Sequence, residues 1–112
     1  MKIVTWIVRI LLAAAFAASA YGKFAGGAQV VEAFDKIGLG QWFRYFTGAM
    51  ELGGAILVVI PATGLIGALM LLVTMIGAVA THLFRIGGNP AGAIVLGTLA
   101  AFVAFRLRPA KA

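Results

Sequence analysis

The sequence predicts an all-α integral membrane protein, a four-helix bundle with a short interfacial amphipathic helix between helices one and two. Three observations carry that expectation. Hydrophobic residues make up 63% of the 112-residue chain and charged residues only 11%, with a mean hydropathy of +1.10, far from the mix of a soluble domain. The apolar residues fall into four runs, each close to the roughly 20 residues that cross a bilayer. Glycine and proline punctuate the junctions between them. A chain of this length holds one domain, so residues 1–112 are read as a single transmembrane unit.

The first run, Ile3 to Tyr21, has the length of one crossing. A cleaved signal peptide is the rival reading, because Lys2 precedes the run and Ala18-Ser19-Ala20 resembles a small-residue cleavage site. Arg9 opposes it, since a charge there leaves only a short apolar core. Val30, Val31, Phe34 and Ile37 then recur at helical spacing among Glu32, Asp35 and Lys36. That pattern predicts an amphipathic helix over 28–37 lying at head-group level, ended by Gly38 and Gly40.

The second crossing, 41–60, opens with Trp42, Phe43, Tyr45 and Phe46, an aromatic belt suited to the membrane surface. Pro61 and Gly64 leave so short a turn that the third crossing, 63–84, returns antiparallel beside the second. Arg85, Gly87, Gly88, Asn89 and Pro90 form the next turn, and a fourth crossing over 91–107 closes the bundle. Its apolar part, Ala91 to Phe105, is about 22 Å long, short for a full span unless Arg106 snorkels to the surface.

Nine Lys and Arg stand against three acidic residues, a formal charge of +6. The basic residues are scattered singly beside apolar runs and lack interleaved aromatics, which argues against nucleic acid and for lipid head groups as partners. An even number of crossings places both termini on one side. Lys2, Arg9, Arg106, Arg108 and Lys111 face Lys23, Lys36, Arg44 and Arg85 across the membrane, and the positive-inside rule then makes the terminal side cytoplasmic. The chain has no cysteine, which excludes thiol exchange and disulfides. One histidine without a second soft ligand argues against a metal. No serine or threonine has an evident base and orienter, and no phosphate-cradling glycine loop is present.

Helices in lipid associate through small residues that let backbones approach. The expected packing positions are Ala14, Ala18 and Gly22 on helix one, Gly48 and Gly54 on helix two, and Ala93, Gly97 and Ala101 on helix four. Glu51 shares a face with Gly48 and Gly54. A charge at the bilayer centre costs on the order of 2.5–3.5 kcal/mol on insertion scales, so this carboxylate needs a partner. Counted from the proposed inner helix ends, Glu51 lies about 13 Å deep and Arg9 about 9 Å. An Arg9–Glu51 ion pair is therefore the first expectation, and it would hold the carboxylate in its charged form. In the alternative, Arg9 snorkels outward and Glu51 carries a proton or meets a ligand. Tyr21, Lys23, Gln41, Arg44 and His82 fall at one level near the outer side. They either form a polar ring for a quinone head group or lipid phosphate, or simply sit at the wet interface.

Three stretches, RILLAAAFAASAYGKF (Arg9 to Phe24), VVEAFDKIGLGQWFRYFTGAMELGGAILVVIP (Val30 to Pro61) and MIGAVATHLF (Met75 to Phe84), together resemble the DoxX-like family of small four-helix bacterial membrane proteins. Arg9, Gly22, Lys23, Gly48, Glu51 and His82 match its recurrent positions. The resemblance implies a multi-pass protein of the bacterial inner membrane. Some members look like membrane subunits of thiosulfate:quinone oxidoreductase and others accompany redox or thiol-stress proteins. What the resemblance implies here is an accessory or assembly subunit that docks a redox partner or holds quinone or lipid. Quinone is the only cofactor so implied, and the cysteines of certain redox-active relatives are missing. The alternatives are a small proton-coupled transporter using Glu51, working as a homo-oligomer, and a quinone-linked oxidoreductase subunit with Glu51 or His82 as proton acceptor.

Overall fold

The computed structural model describes residues 2–86 and 90–108. The expected turn residues Gly87, Gly88 and Asn89, and the basic Lys111, lie outside the described residues. Among the described residues the chain is all-α, without strands: α1 (Lys2–Ala25), α2 (Ala28–Ile37), α3 (Trp42–Val58), α4 (Gly64–Thr81) and α5 (Ala91–Leu107). A 3-10 turn, Pro61–Thr63, links α3 to α4, and the chain after α4 widens into one π-helical turn, His82–Ile86.

The ends of these helices follow from local chemistry. Helix α1 runs beyond Tyr21, so Gly22 and Lys23 are helical rather than part of an interfacial connection. Gly38 closes α2 in the left-handed conformation (φ 84°), its N–H bonding back to the Phe34 carbonyl, a cap that a side chain would strain. Helix α3 stops at Val58 because Pro61 pushes Ile60 into extended backbone (φ −94°, ψ 125°).

Helix α1 packs on α3, α3 on α4, α4 on α5, and α5 returns to α1. Arg9 bonds to the end of α3 while Lys23 reaches Glu51 and the Gly48 backbone, so α1 and α3 are antiparallel. A Cβ on Gly67 would lie 2.4 Å from the Val58 nitrogen; only glycine allows α3 and α4 to approach this closely. Leu107 lies beside Gly64 together with Arg9, which brings the start of α1 and the end of α5 to one end of the molecule. Leu12, Phe16, Val58, Leu71, Met75 and Val103 fill the centre.

The polarity of the molecule is inside-out. Arg9, Arg44 and Glu51 are buried, whereas Ile7, Ile56, Ile66, Val73, Ile76 and Phe105 are exposed. In water such a surface would drive association; in lipid it is matched to its solvent. Two segments, Lys2–Ala25 and Pro61–Phe84, are long and apolar enough to cross a membrane. The longest dimension is 43 Å, comparable with the roughly 40–45 Å of a bilayer including its head groups.

Candidate functional site

The expected Arg9–Glu51 ion pair does not form. Arg9 Nε donates to the Val58 carbonyl at 2.7 Å and Nη2 to the Ile60 carbonyl at 3.2 Å, with the guanidinium stacked 3.8 Å over Trp6. The last carbonyls of a helix have no N–H partners of their own and carry the negative end of its dipole. A guanidinium fork meets both needs at once. Glu51 stands about 10 Å further along α3 from Val58, and counting depth did not capture that difference in register.

Glu51 is instead held from the other end of α1. Lys23 Nζ lies 2.9 Å from Glu51 Oε1 and also donates to Ser19 Oγ at 2.8 Å. Ser19 Oγ in turn donates to the same carboxylate oxygen at 3.0 Å. With Glu51 only 2% exposed, this triad is a neutral, internally bonded unit, the form in which a buried acid is tolerable. Ser19 is absent from the sequence-based site. Its signal is the four-residue spacing to Lys23, visible only once α1 continues past Tyr21. Lys23 donates to both neighbours and so acts as no base; Ser19 gains no nucleophilic activation from it.

The outer polar ring divides into two groups. Arg44 Nη1 donates to the Lys23 carbonyl, Nε to Gln41 Oε1 at 2.9 Å and Nη2 to the Tyr45 hydroxyl at 3.0 Å. Gln41 Nε2 continues the network to Asp35 Oδ1 at 2.7 Å and to the Val31 carbonyl. Arg44 and Gln41 thus tie α2, α3 and the end of α1 together. Tyr21 is 76% exposed and outside this network. Lys23 and His82 make the second group, on a shared cavity.

The packing positions also divide. Gly48 meets the Lys23 Cβ and the Phe24 ring, Gly54 meets Leu71, and Gly97 meets Met75; Ala93 is half-buried against the core. Ala14, Ala18 and Ala101 are exposed, and a Cβ on Gly22 would touch nothing, which corrects the small-residue stripe expected on helix one. The face of α1 that packs is Thr5, Arg9, Leu12, Phe16 and Ala20. Larger apolar residues fill that seam, and the alanine-rich side is left to the surroundings.

The cavity has a volume of about 520 Å³ and lies between α2, α3 and the end of α4. Val30, Ala33, Phe34, Ile37, Phe46, Met50 and Val73 supply its apolar walls, and Lys23, Gln29, Thr47, Thr74, Thr81 and His82 its polar groups. A space of this size with few polar groups suits one small amphiphile. Its Lys23 side carries no net charge to attract an anion, because Glu51 neutralises the lysine.

No curated protein and no solved structure matches the chain significantly. The sequence profile of the DoxX-like family matches residues 7–105. That span reaches from α1 into α5 and contains Arg9, Ser19, Lys23, Arg44, Glu51 and His82; the chain belongs to the DoxX-like family.

Proposed function

We propose that the chain is a membrane-embedded accessory subunit that holds a quinone-class amphiphile in the α2–α3–α4 cavity and presents it to a redox partner. In this reading α1, α3, α4 and α5 form a four-helix bundle in the bacterial inner membrane, with both termini cytoplasmic. Helices α3 and α5 are each about 25 Å long, and the exposed Leu52, Ile56, Ile94, Val95 and Phe105 give them lipid-facing surfaces. Arg106 and Arg108 at the end of α5 snorkel to the surface.

The observation that carries the reading is the cavity itself: apolar walls, with Lys23 and His82 among its few polar side chains. A flat ring fits between the apolar residues of α2, α3 and α4, and Lys23 donates to a ring oxygen. Proton-coupled transport is less well supported, because Glu51 is occupied by Lys23 and Ser19 and lacks the open access a shuttling acid needs.

Titration of decylubiquinone into the detergent-purified chain, followed by tryptophan fluorescence, tests the proposal. Binding is expected to be saturable and to be lost in Gly77→Phe. Gly77 lines the cavity, and a Cβ there meets no atom within 4 Å, so the new ring fills the space without displacing the fold. A flat titration with the unsubstituted protein, or unchanged binding in a folded Gly77→Phe variant, would overturn it.

A further inference from the structure

The cavity begins where the seam between α3 and α4 comes apart. Further along that seam glycines hold the two helices together: a Cβ on Gly67 would lie 2.4 Å from the Val58 nitrogen, and one on Gly54 2.6 Å from the Leu71 side chain. The same antiparallel register, continued away from these contacts, sets Met50 opposite Thr74 and Thr47 opposite Ala78. All four residues line the cavity, so the gap opens one turn beyond Gly54. Helix α2 covers it, with Phe34 and Ile37 buried.

The walls of the gap change from the inside of the bundle to its surface. At the back stands Lys23, its side chain 17% exposed, and its ammonium keeps one hydrogen after bonding Ser19 and Glu51. At the front, Phe46 is 52% and Val73 60% exposed. Val73 continues the exposed apolar side of α4 that Ile66 and Leu69 begin, the side turned to lipid in the proposed bundle. The cavity also reaches Gln29, which is exposed at the start of α2. An alkyl chain leaving by that carboxamide would strand its apolar surface among polar groups, whereas the front offers it a continuous apolar path.

Resting on the amphiphile-binding reading above, we infer that the cavity takes a lipid with one long alkyl or isoprenoid chain, drawn in sideways from the hydrocarbon of the membrane. The polar head goes to Lys23 at the back, and the chain leaves between Phe46 and Val73, beneath α2. A head group without a chain leaves the front of the gap unfilled and buries less apolar surface.

The test uses the full chain in lipid nanodiscs with a decylubiquinone analogue carrying a diazirine midway along its alkyl chain, photolysed and mapped by mass spectrometry. Labels are expected on Phe46–Gly53 of α3 and Met70–Gly77 of α4, and should fall several-fold with excess decylubiquinone and in Gly77→Phe. Val73→Phe, a change at an exposed position, should narrow the front and weaken decylubiquinone binding several-fold while leaving the tail-less ubiquinone head group unaffected. Competed labels confined to α2 or to the His82 end of α4 would overturn the inference while cavity binding stands. So would Val73→Phe weakening both ligands equally, or neither. Labels that neither excess decylubiquinone nor Gly77→Phe reduces would overturn the amphiphile-binding reading, and this inference with it.

Discussion

The α1–α3 pair is closed at both ends by the same device, a buried arginine on the carbonyls that end the neighbouring helix. Arg9, from α1, holds Val58 and Ile60 at the end of α3, stacks on Trp6 and crowds Gly64. Arg44, from α3, holds the Lys23 carbonyl at the end of α1, lies 4.4 Å over the Tyr45 ring and crowds Gly26. Their surroundings differ. The Arg9 end is sealed by Leu107, while the Arg44 end extends through Gln41 to α2 and adjoins the cavity that Lys23 lines. The difference teaches that a buried charge need not mark chemistry. One clamp closes helices, and an equivalent clamp, by fixing the residue that holds Glu51, also frames a site.

The largest effect that would break this division is at Glu51. Replacing it with Leu leaves the half-buried Lys23 ammonium without its counter-charge, a loss of up to about 3 kcal/mol. Thermal unfolding of the purified protein should show a strong drop for Glu51→Leu that Lys23→Met largely restores. Arg9→Leu should add to Glu51→Leu within about 0.5 kcal/mol, as independent sites do. Coupling between Arg9 and Glu51 as large as that between Lys23 and Glu51 would merge the two ends into one network. The next effect compares the arginines directly. Lysine replaces a two-pronged donor with a point charge, so Arg9→Lys and Arg44→Lys should each cost about 1.5–3 kcal/mol. Only Arg44→Lys should also weaken ligand binding several-fold, because Arg44 holds the backbone of Lys23. Equal loss of binding in both variants would show that the clamp at the sealed end also serves the site.

Much of the architecture was legible because it is written in periodicity. Val30, Val31, Phe34 and Ile37 mark α2 at helical spacing, and Pro61 with Gly64 forces the return from α3 to α4. The partner of Glu51 was not legible, for two physical reasons. Depth along the membrane normal is a count of residues, but contact also requires the right side of the helix and a partner with nothing nearer to bond. Arg9 had the Val58 and Ile60 carbonyls closer than the carboxylate. Lys23, assigned to the interface because the apolar run ends at Tyr21, reached Glu51 only because α1 keeps its helical turn past that point. The polar ring was half legible in the same way. Lys23 and His82 share a cavity, but Arg44 and Gln41 are spent on backbone and side-chain partners that no single-residue property announces.

The smallest effect tests the packing of α1 within the cavity end. Sequence spacing treats Gly22 and Gly48 alike, as small residues placed for close approach, yet their surroundings are opposite. A Cβ on Gly22 meets no atom within 4 Å, whereas one on Gly48 meets the Lys23 Cβ and the Phe24 ring at 3.3 Å. Gly22→Ala therefore removes backbone freedom from a helical position at no steric cost and should stabilise the protein by about 0.5–1 kcal/mol. Gly48→Ala gains the same entropic term but must push α1 from α3 at the residue that holds Glu51, and overpacking of this kind typically costs about 1–3 kcal/mol. Thermal midpoints should move in opposite directions, up for Gly22→Ala and down for Gly48→Ala, with loss of ligand binding confined to Gly48→Ala. If both substitutions destabilise equally, the alanine-rich side of α1 is itself a packing surface, and Ala14, Ala18 and Gly22 meet a neighbouring helix in the membrane.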